Sequence, residues 1–112
     1  MKILILEDEP IIAIDLEGIV LEKIDAEILH AATVADALDY VNEGLDFAML
    51  DIVLGPCGET SLPIAQILLR NNVPFCFISS SLDQLPAQLD AVPRISKPFR
   101  PHEVENLVPV HV

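Results

Sequence analysis

Side chains able to do chemistry stand at the carboxyl ends of short apolar runs. Asp51 closes Phe47-Ala48-Met49-Leu50, and the pair Glu7-Asp8 closes Ile3-Leu4-Ile5-Leu6. Ser79 closes Pro74-Phe75-Cys76-Phe77-Ile78, and Lys97-Pro98 closes the last run, 93–96. A carboxylate on the end of a buried strand is costly unless its charge is used there. Two like charges about 4 Å apart repel by roughly 4 kcal/mol at an effective dielectric near 20. Three carboxylates gathered in one cleft therefore call for a divalent cation, and oxygen-only ligands favour Mg²⁺, or alternatively Mn²⁺, over zinc. A cation held by carboxylates and water is suited to receive phosphate oxygens. Asp51 is then a candidate nucleophile toward a phosphoryl group, with the Lys97 ammonium and the Ser79 hydroxyl contacting its oxygens.

These residues are far apart in sequence, so the fold must gather them. Apolar runs alternate with helix-period segments, the pattern of a parallel sheet with helices on both faces. Strands are expected at about 2–6, 26–30, 46–50, 74–78 and 93–96. Helices are expected at about 10–23, with Ile12, Leu16, Ile19 and Val20 inward, and at 34–43, with Val34, Ala37, Leu38 and Val41 inward. Thr33 with Asp36 resembles a capping box for the second of these. A third helix covers about 61–71, where Pro63 is tolerable only in the first turn. A short last helix begins near Pro101 and carries Val104, Leu107 and Val108. The stretch 79–92 holds Pro86 and only Leu82, Leu85 and Leu89 as an apolar stripe, so at most a brief, poorly anchored helix is expected there. Ligands of open parallel sheets bind beyond the carboxyl ends of the strands. Glu7, Asp8, Asp51, Ser79 and Lys97 all fall at those ends.

A chain of 112 residues fits one domain, 1–112, with one core. No apolar stretch approaches the roughly 20 residues needed to cross a bilayer, and the N-terminus lacks the basic region of a signal peptide. With 18 acidic against 6 basic residues, net charge −12, nucleic-acid binding is not expected. The composition suits a cytoplasmic protein with protein partners and no membrane contact. Cys57 and Cys76 share no metal or redox spacing and read as reduced thiols. His30, His102 and His111 show no ligand spacing and read as surface or strand-end residues.

The ordered set Ile3-Leu4-Ile5-Leu6-Glu7-Asp8-Glu9, Phe47-Ala48-Met49-Leu50-Asp51, Phe77-Ile78-Ser79-Ser80 and Ile95-Ser96-Lys97-Pro98-Phe99 resembles a response regulator receiver domain. The resemblance covers essentially the whole chain. It implies a flavodoxin-like (CheY-like) α/β fold, a doubly wound five-stranded parallel sheet of order 2-1-3-4-5, here with a short or degenerate fourth helix. It implies Asp51 as phosphoacceptor and Glu7, Asp8, Asp51 and the Val53 backbone carbonyl as Mg²⁺ ligands. Ser79 matches the switch hydroxyl, Lys97 the phosphate-contacting lysine, and Lys97-Pro98 is expected to be cis. The implied donor is a sensor histidine kinase or histidine phosphotransfer protein. The downstream protein is unknown, and a weak homodimer is compatible with the sequence. The chain would not be an enzyme beyond this self-directed chemistry. A narrower likeness, through Asp51-Ile52-Val53-Leu54, Gly58-Glu59, Pro63-Ile64-Ala65 and Val73-Pro74-Phe75, is to stand-alone bacterial receivers. Their Phe-Ala-Thr-Gly-hydrophobic-Tyr motif is kept here only as Phe77 and a hydroxyl residue.

The sequence departs from the pattern in two places. Arg94 stands where receivers usually carry an aromatic switch ring, and is expected to make a surface ion pair or a partner contact. Val53 replaces an often polar residue that orients hydrolytic water, so slow spontaneous dephosphorylation is expected. Ser80 stands where a small residue normally admits the phosphoryl group, and Ser81 reads more readily as a turn residue than as a functional one. Glu59 is expected to cap the third helix or to act in the adjoining loop. Glu7-Asp8-Glu9 could instead merely cap the first helix. Competing functions are a phosphorylation-independent pseudo-receiver adaptor, a flavin- or nucleotide-binding domain, which would lack its glycine-rich loop, and a metal-dependent phosphatase. Val53 denies the last a second aspartate as acid.

Overall fold

In the computed structural model, which describes residues 1–109, each apolar run forms a strand. His111 and the chain end expected to fray lie outside the described residues. In chain order the elements are β1 (Lys2–Leu6), α1 (Pro10–Lys23), β2 (Glu27–Ala31), α2 (Val34–Glu43), β3 (Phe47–Leu50), β4 (Val53–Leu54), β5 (Glu59–Thr60), α3 (Leu62–Arg70), β6 (Phe75–Ser79), β7 (Arg94–Ser96) and α4 (Pro101–Glu105). Five strands form one parallel sheet of order β2-β1-β3-β6-β7. The strands β4 and β5 form a separate antiparallel hairpin.

Side chains alternate across each strand, and this alternation divides the core into two layers. Leu4, Leu6, Ala48, Leu50, Phe75 and Phe77 face α2 and α3, packing with Ala37, Val41, Ile64, Ala65 and Leu68. Ile3, Ile5, Phe47, Met49, Cys76, Ile78 and Ile95 face α1 and α4, packing with Leu16, Val20 and Val104. With both faces covered, the three central strands β1, β3 and β6 read as continuous apolar runs rather than alternating ones. Pro10 opens α1 and Pro101 opens α4, first-turn positions where the missing N–H costs nothing. Thr33 caps α2 by accepting the Asp36 N–H at 3.2 Å, and α2 stops at Gly44, whose φ is +94°.

The segment after β6 corrects the expectation of poor anchoring. It forms two single 3₁₀ turns, Leu82–Gln84 and Ala87–Leu89, but Leu89 is fully buried and Val92 is buried beside it. The loop expected after Asp51 is also more ordered than the sequence suggests, since its ends pair as β4 and β5. Two-residue strands carry no readable period, which is why the sequence shows only a Gly/Pro break there.

Register positions the strand ends. Leu6 lies between Ala31 and Leu50, and Ser79 opposite Ser96. Just past the strands, the Glu7 N–H donates to Ala31 O at 3.0 Å, the Asp51 N–H to Leu6 O at 2.9 Å and the Lys97 N–H to Ser79 O at 3.1 Å. One continued ladder thus delivers Glu7, Asp51 and Lys97 to the same edge. Among the described residues no helix is long and apolar enough to cross a membrane.

Candidate functional site

At that edge Glu7 and Asp51 are buried, 5% and 7% exposed, and Asp8 is half-buried. One carboxylate oxygen from each lies within 4.8 Å of the others. The Lys97 ammonium donates to Glu7 Oε2 at 2.7 Å and to Asp51 Oδ2 at 3.0 Å. The five residues predicted from strand ends are therefore brought together, Ser79 being linked to Asp51 through the Ile52 N–H that both accept.

Backbone amides fix each carboxylate. Asp51 Oδ1 accepts the Ile52 N–H at 2.8 Å, and Glu7 Oε1 accepts the Glu9 N–H at 3.1 Å. Asp8 Oδ2 accepts the Gly55 N–H at 2.9 Å. Ser79 Oγ accepts from Ser81 N–H at 3.1 Å and from Ile52 N–H at 3.4 Å. Both its lone pairs are engaged, so the hydroxyl proton is available to a further acceptor. Glu9 is the residue before α1 but makes no side-chain cap. A purely capping role for the Glu7-Asp8-Glu9 run is not what the structure shows.

The charges strain one another. Burial raises the Glu7 pKa from 4.5 to about 7; the Asp51 carboxylate adds to the rise while the Lys97 hydrogen bond opposes it. Burial alone would lower the Lys97 pKa, but its bonds to Glu7 and Asp51 outweigh that and hold it above the usual lysine value. Three carboxylates against one ammonium leave two negative charges when all are ionised. A divalent cation fits this donor set in charge and in oxygen chemistry, with Glu7, Asp8 and Asp51 as its side-chain ligands.

No protein-family model matches the sequence, and no curated protein does. Solved structures do. SdrG from Sphingomonas melonis Fr1 is similar with a TM-score of 0.80 and 37% identity, over 96% of this chain and 92% of that one. The PhyR response regulator REC domain of Erythrobacter litoralis is similar with a TM-score of 0.78 and 28% identity, over 95% and 84% of the two chains. The response regulator PhyR from Brucella abortus matches with a TM-score of 0.76 and 32% identity, over 95% of this chain and 45% of that one. The chain belongs to the response regulator receiver family. It spans less than half of the Brucella regulator and nearly all of the Sphingomonas protein.

Two side chains of this receiver, Arg94 and Glu59, lie where the sequence did not put them, while His30, the two cysteines and the Lys97–Pro98 bond are as expected. Arg94 makes no ion pair among the described residues. It is half-buried and donates to the carbonyls of Leu89 at 2.6 Å and Val92 at 3.2 Å. An arginine beside a turn is drawn to the carbonyls at the turn's end. The Leu89 carbonyl, which also accepts the Val92 N–H at 3.0 Å, uses its second lone pair for Arg94. Glu59 caps α2 rather than α3, accepting the Val34 N–H at 3.0 Å. Val53 pairs with Thr60 in the hairpin. His30 is hydrogen-bonded to Glu17 on the surface. Cys57 is exposed and Cys76 buried. The Lys97–Pro98 bond is cis. Gly55, which holds Asp8, carried only a weak signal in the sequence: a Gly-Pro step soon after the acid.

Proposed function

We propose that this receiver accepts a phosphoryl group on Asp51 from a protein phosphohistidine and signals by changed protein contacts. The observation that carries the proposal is the joint placement of Glu7, Asp8, Asp51 and Lys97 within direct reach of one another. A bound Mg²⁺ would supply charge neutralisation for the transferring group; Glu7, Asp8, Asp51 and the Val53 carbonyl would hold it. A carboxylate oxygen of Asp51 attacks phosphorus, the bond from phosphorus to the donor imidazole nitrogen breaks, and its electron pair leaves with the imidazole. Ile52 N–H holds the other Asp51 oxygen and orients the attack. Lys97, already 3.0 Å from Asp51, is placed to follow the new negative charge onto a phosphoryl oxygen. The free proton of Ser79 supplies a hydrogen bond to another. The product is a modified side chain rather than a released one, so the protein is a phosphoprotein and not a turnover enzyme. Its setting is the cytoplasm, where kinases of this chemistry work.

The donor has a surface to meet. Ile11 and Ile14 on α1 are 84% and 68% exposed, and a groove lined by Pro10, Ala13, Ile14, Ala31 and Ala32 opens onto Glu7 and Asp8. Large exposed apolar side chains beside a charged site suit a protein partner.

One observation favours a second reading, a phosphorylation-independent adaptor. Lys97 bridges Glu7 and Asp51 directly, so part of the site's charge is compensated within the protein. Titration with Mg²⁺, with and without beryllofluoride as a phosphoryl mimic, separates the two. A response in amide spectra that needs Mg²⁺ and is lost in Asp51→Asn supports the receiver reading. No response of the parent to Mg²⁺ favours the adaptor.

A further inference from the structure

The β4–β5 hairpin is fastened on the two sides of its turn to different parts of the protein. Its turn begins at Gly55, whose N–H is bonded to Asp8 at 2.9 Å. Its return strand begins at Glu59, whose carboxylate accepts the Val34 N–H at the start of α2, at 3.0 Å. The two fastenings are one rung apart, because Leu54, the residue before Gly55, pairs with Glu59. Leu54 is buried in the core, and Ser61 N–H closes the hairpin base on Ile52 O at 2.9 Å. Gly55 has a φ of +74°, a conformation that side-chain-bearing residues resist. The direction of its N–H therefore depends on where the hairpin is held.

From this geometry we infer that Glu59 is a positioning residue for Asp8. Its carboxylate ties the hairpin to α2, and the tied hairpin keeps the Gly55 N–H aimed at Asp8 Oδ2. That bond fixes the Asp8 carboxylate, one oxygen of which lies within 4.8 Å of oxygens of Glu7 and Asp51. Glu59 touches none of the site's acids, so its influence passes through the hairpin backbone. A carboxylate suits the α2 end of the strut, since the first amides of a helix lack internal partners and carry partial positive charge. Thr33 satisfies a different amide of the same helix end, that of Asp36, at 3.2 Å. By linkage, whatever binds Asp8 also steadies the first turn of α2. As far as cation binding is concerned, this inference rests on the proposed function.

The test compares the full chain with Glu59→Ala, Glu59→Gln and Thr33→Ala. Exchange of the Gly55 amide is followed without metal, and Mg²⁺ affinity is then measured by titration. In Glu59→Ala the Gly55 amide exchanges faster, and Mg²⁺ binds about threefold more weakly, the size expected for losing one hydrogen bond at a helix start. Glu59→Gln retains an acceptor oxygen and stays near the parent in both. Thr33→Ala weakens α2 yet leaves both readings at parental values. Unchanged Gly55 exchange in Glu59→Ala overturns the inference, as does an equal effect from Thr33→Ala. Failure of the parent to bind Mg²⁺ overturns the reading of the acid site; the exchange measurement still decides for or against Glu59.

Discussion

The Arg94 guanidinium donates to the Leu89 carbonyl at 2.6 Å, tying β7 to the end of the second 3₁₀ turn. Leu89 is itself fully buried, so the segment after β6 is held by one apolar anchor and one cationic staple. This combination stands where the receiver pattern has an aromatic switch ring and where a surface ion pair or partner contact of Arg94 was expected. Arg94→Met keeps the apolar stem and removes the donors. The expected result is faster proteolytic cleavage and amide exchange within 82–92, with a loss of about 1–2 kcal/mol in global stability. Parental protection of that segment in the variant would show the staple to be idle.

The two cysteines should differ sharply in reactivity. Burial pushes the Cys76 thiol up from 9.0 to about 12, so essentially no thiolate forms in the folded protein near neutral pH. A group whose folded pKa is raised favours the fold fully below its unfolded pKa. That contribution is lost as pH climbs from about 9 toward 12. Alkylation of the native protein at pH 8 should modify Cys57 only, and Cys76 should react only after denaturant is added. Intact mass distinguishes one adduct from two.

The exposed isoleucines of α1 should matter to the donor and not to the fold. Ile11→Ser with Ile14→Ser removes apolar surface that is already in water, so thermal stability should change little. Phosphotransfer from a protein phosphohistidine donor should slow about tenfold or more, while modification by a small-molecule phosphodonor stays at the parental rate. Equal slowing with both donors would place these residues outside the docking surface.

Val53 offers no side-chain hydrogen bond to a water attacking phospho-Asp51. Val53→Asn should shorten the phosphoryl lifetime several-fold, read by following the decay of the modified protein over time. The same lifetime in both proteins would show that this position does not control hydrolysis.

How far the sequence revealed the molecule depended on the length and periodicity of each signal. Asp51, Glu7 and Ser79 were legible because each follows a continuous apolar run, and parallel strands buried on both faces leave that mark. Lys97 follows the mixed run Pro93-Arg94-Ile95-Ser96 and was legible as Lys97-Pro98-Phe99 in order with the other three. The order of the strands in the sheet came from the resemblance to receiver domains rather than from the runs themselves. Gly55 and Glu59 were not legible in their roles. The strands β4 and β5 have two residues each, too few for a period, and a carboxylate that caps a helix 25 positions upstream has no local signature. Arg94 failed for a similar reason. Its identity shows a strong donor, but its acceptors are backbone carbonyls, which every residue has. The burial of Leu89 was foreshadowed by the stripe Leu82, Leu85, Leu89, although two prolines nearby concealed how firmly it is seated.

Phosphorylation of Asp51 itself is the most direct test of the account. The chain is incubated with Mg²⁺ and a small-molecule phosphodonor such as acetyl phosphate, and its intact mass is measured. The parent should gain one phosphoryl group that is lost on treatment with hydroxylamine, as an acyl phosphate must be. Asp51→Asn, or parent with the metal chelated, should gain none. A parent that stays unmodified with Mg²⁺ present, or an Asp51→Asn variant that is modified equally, would contradict it.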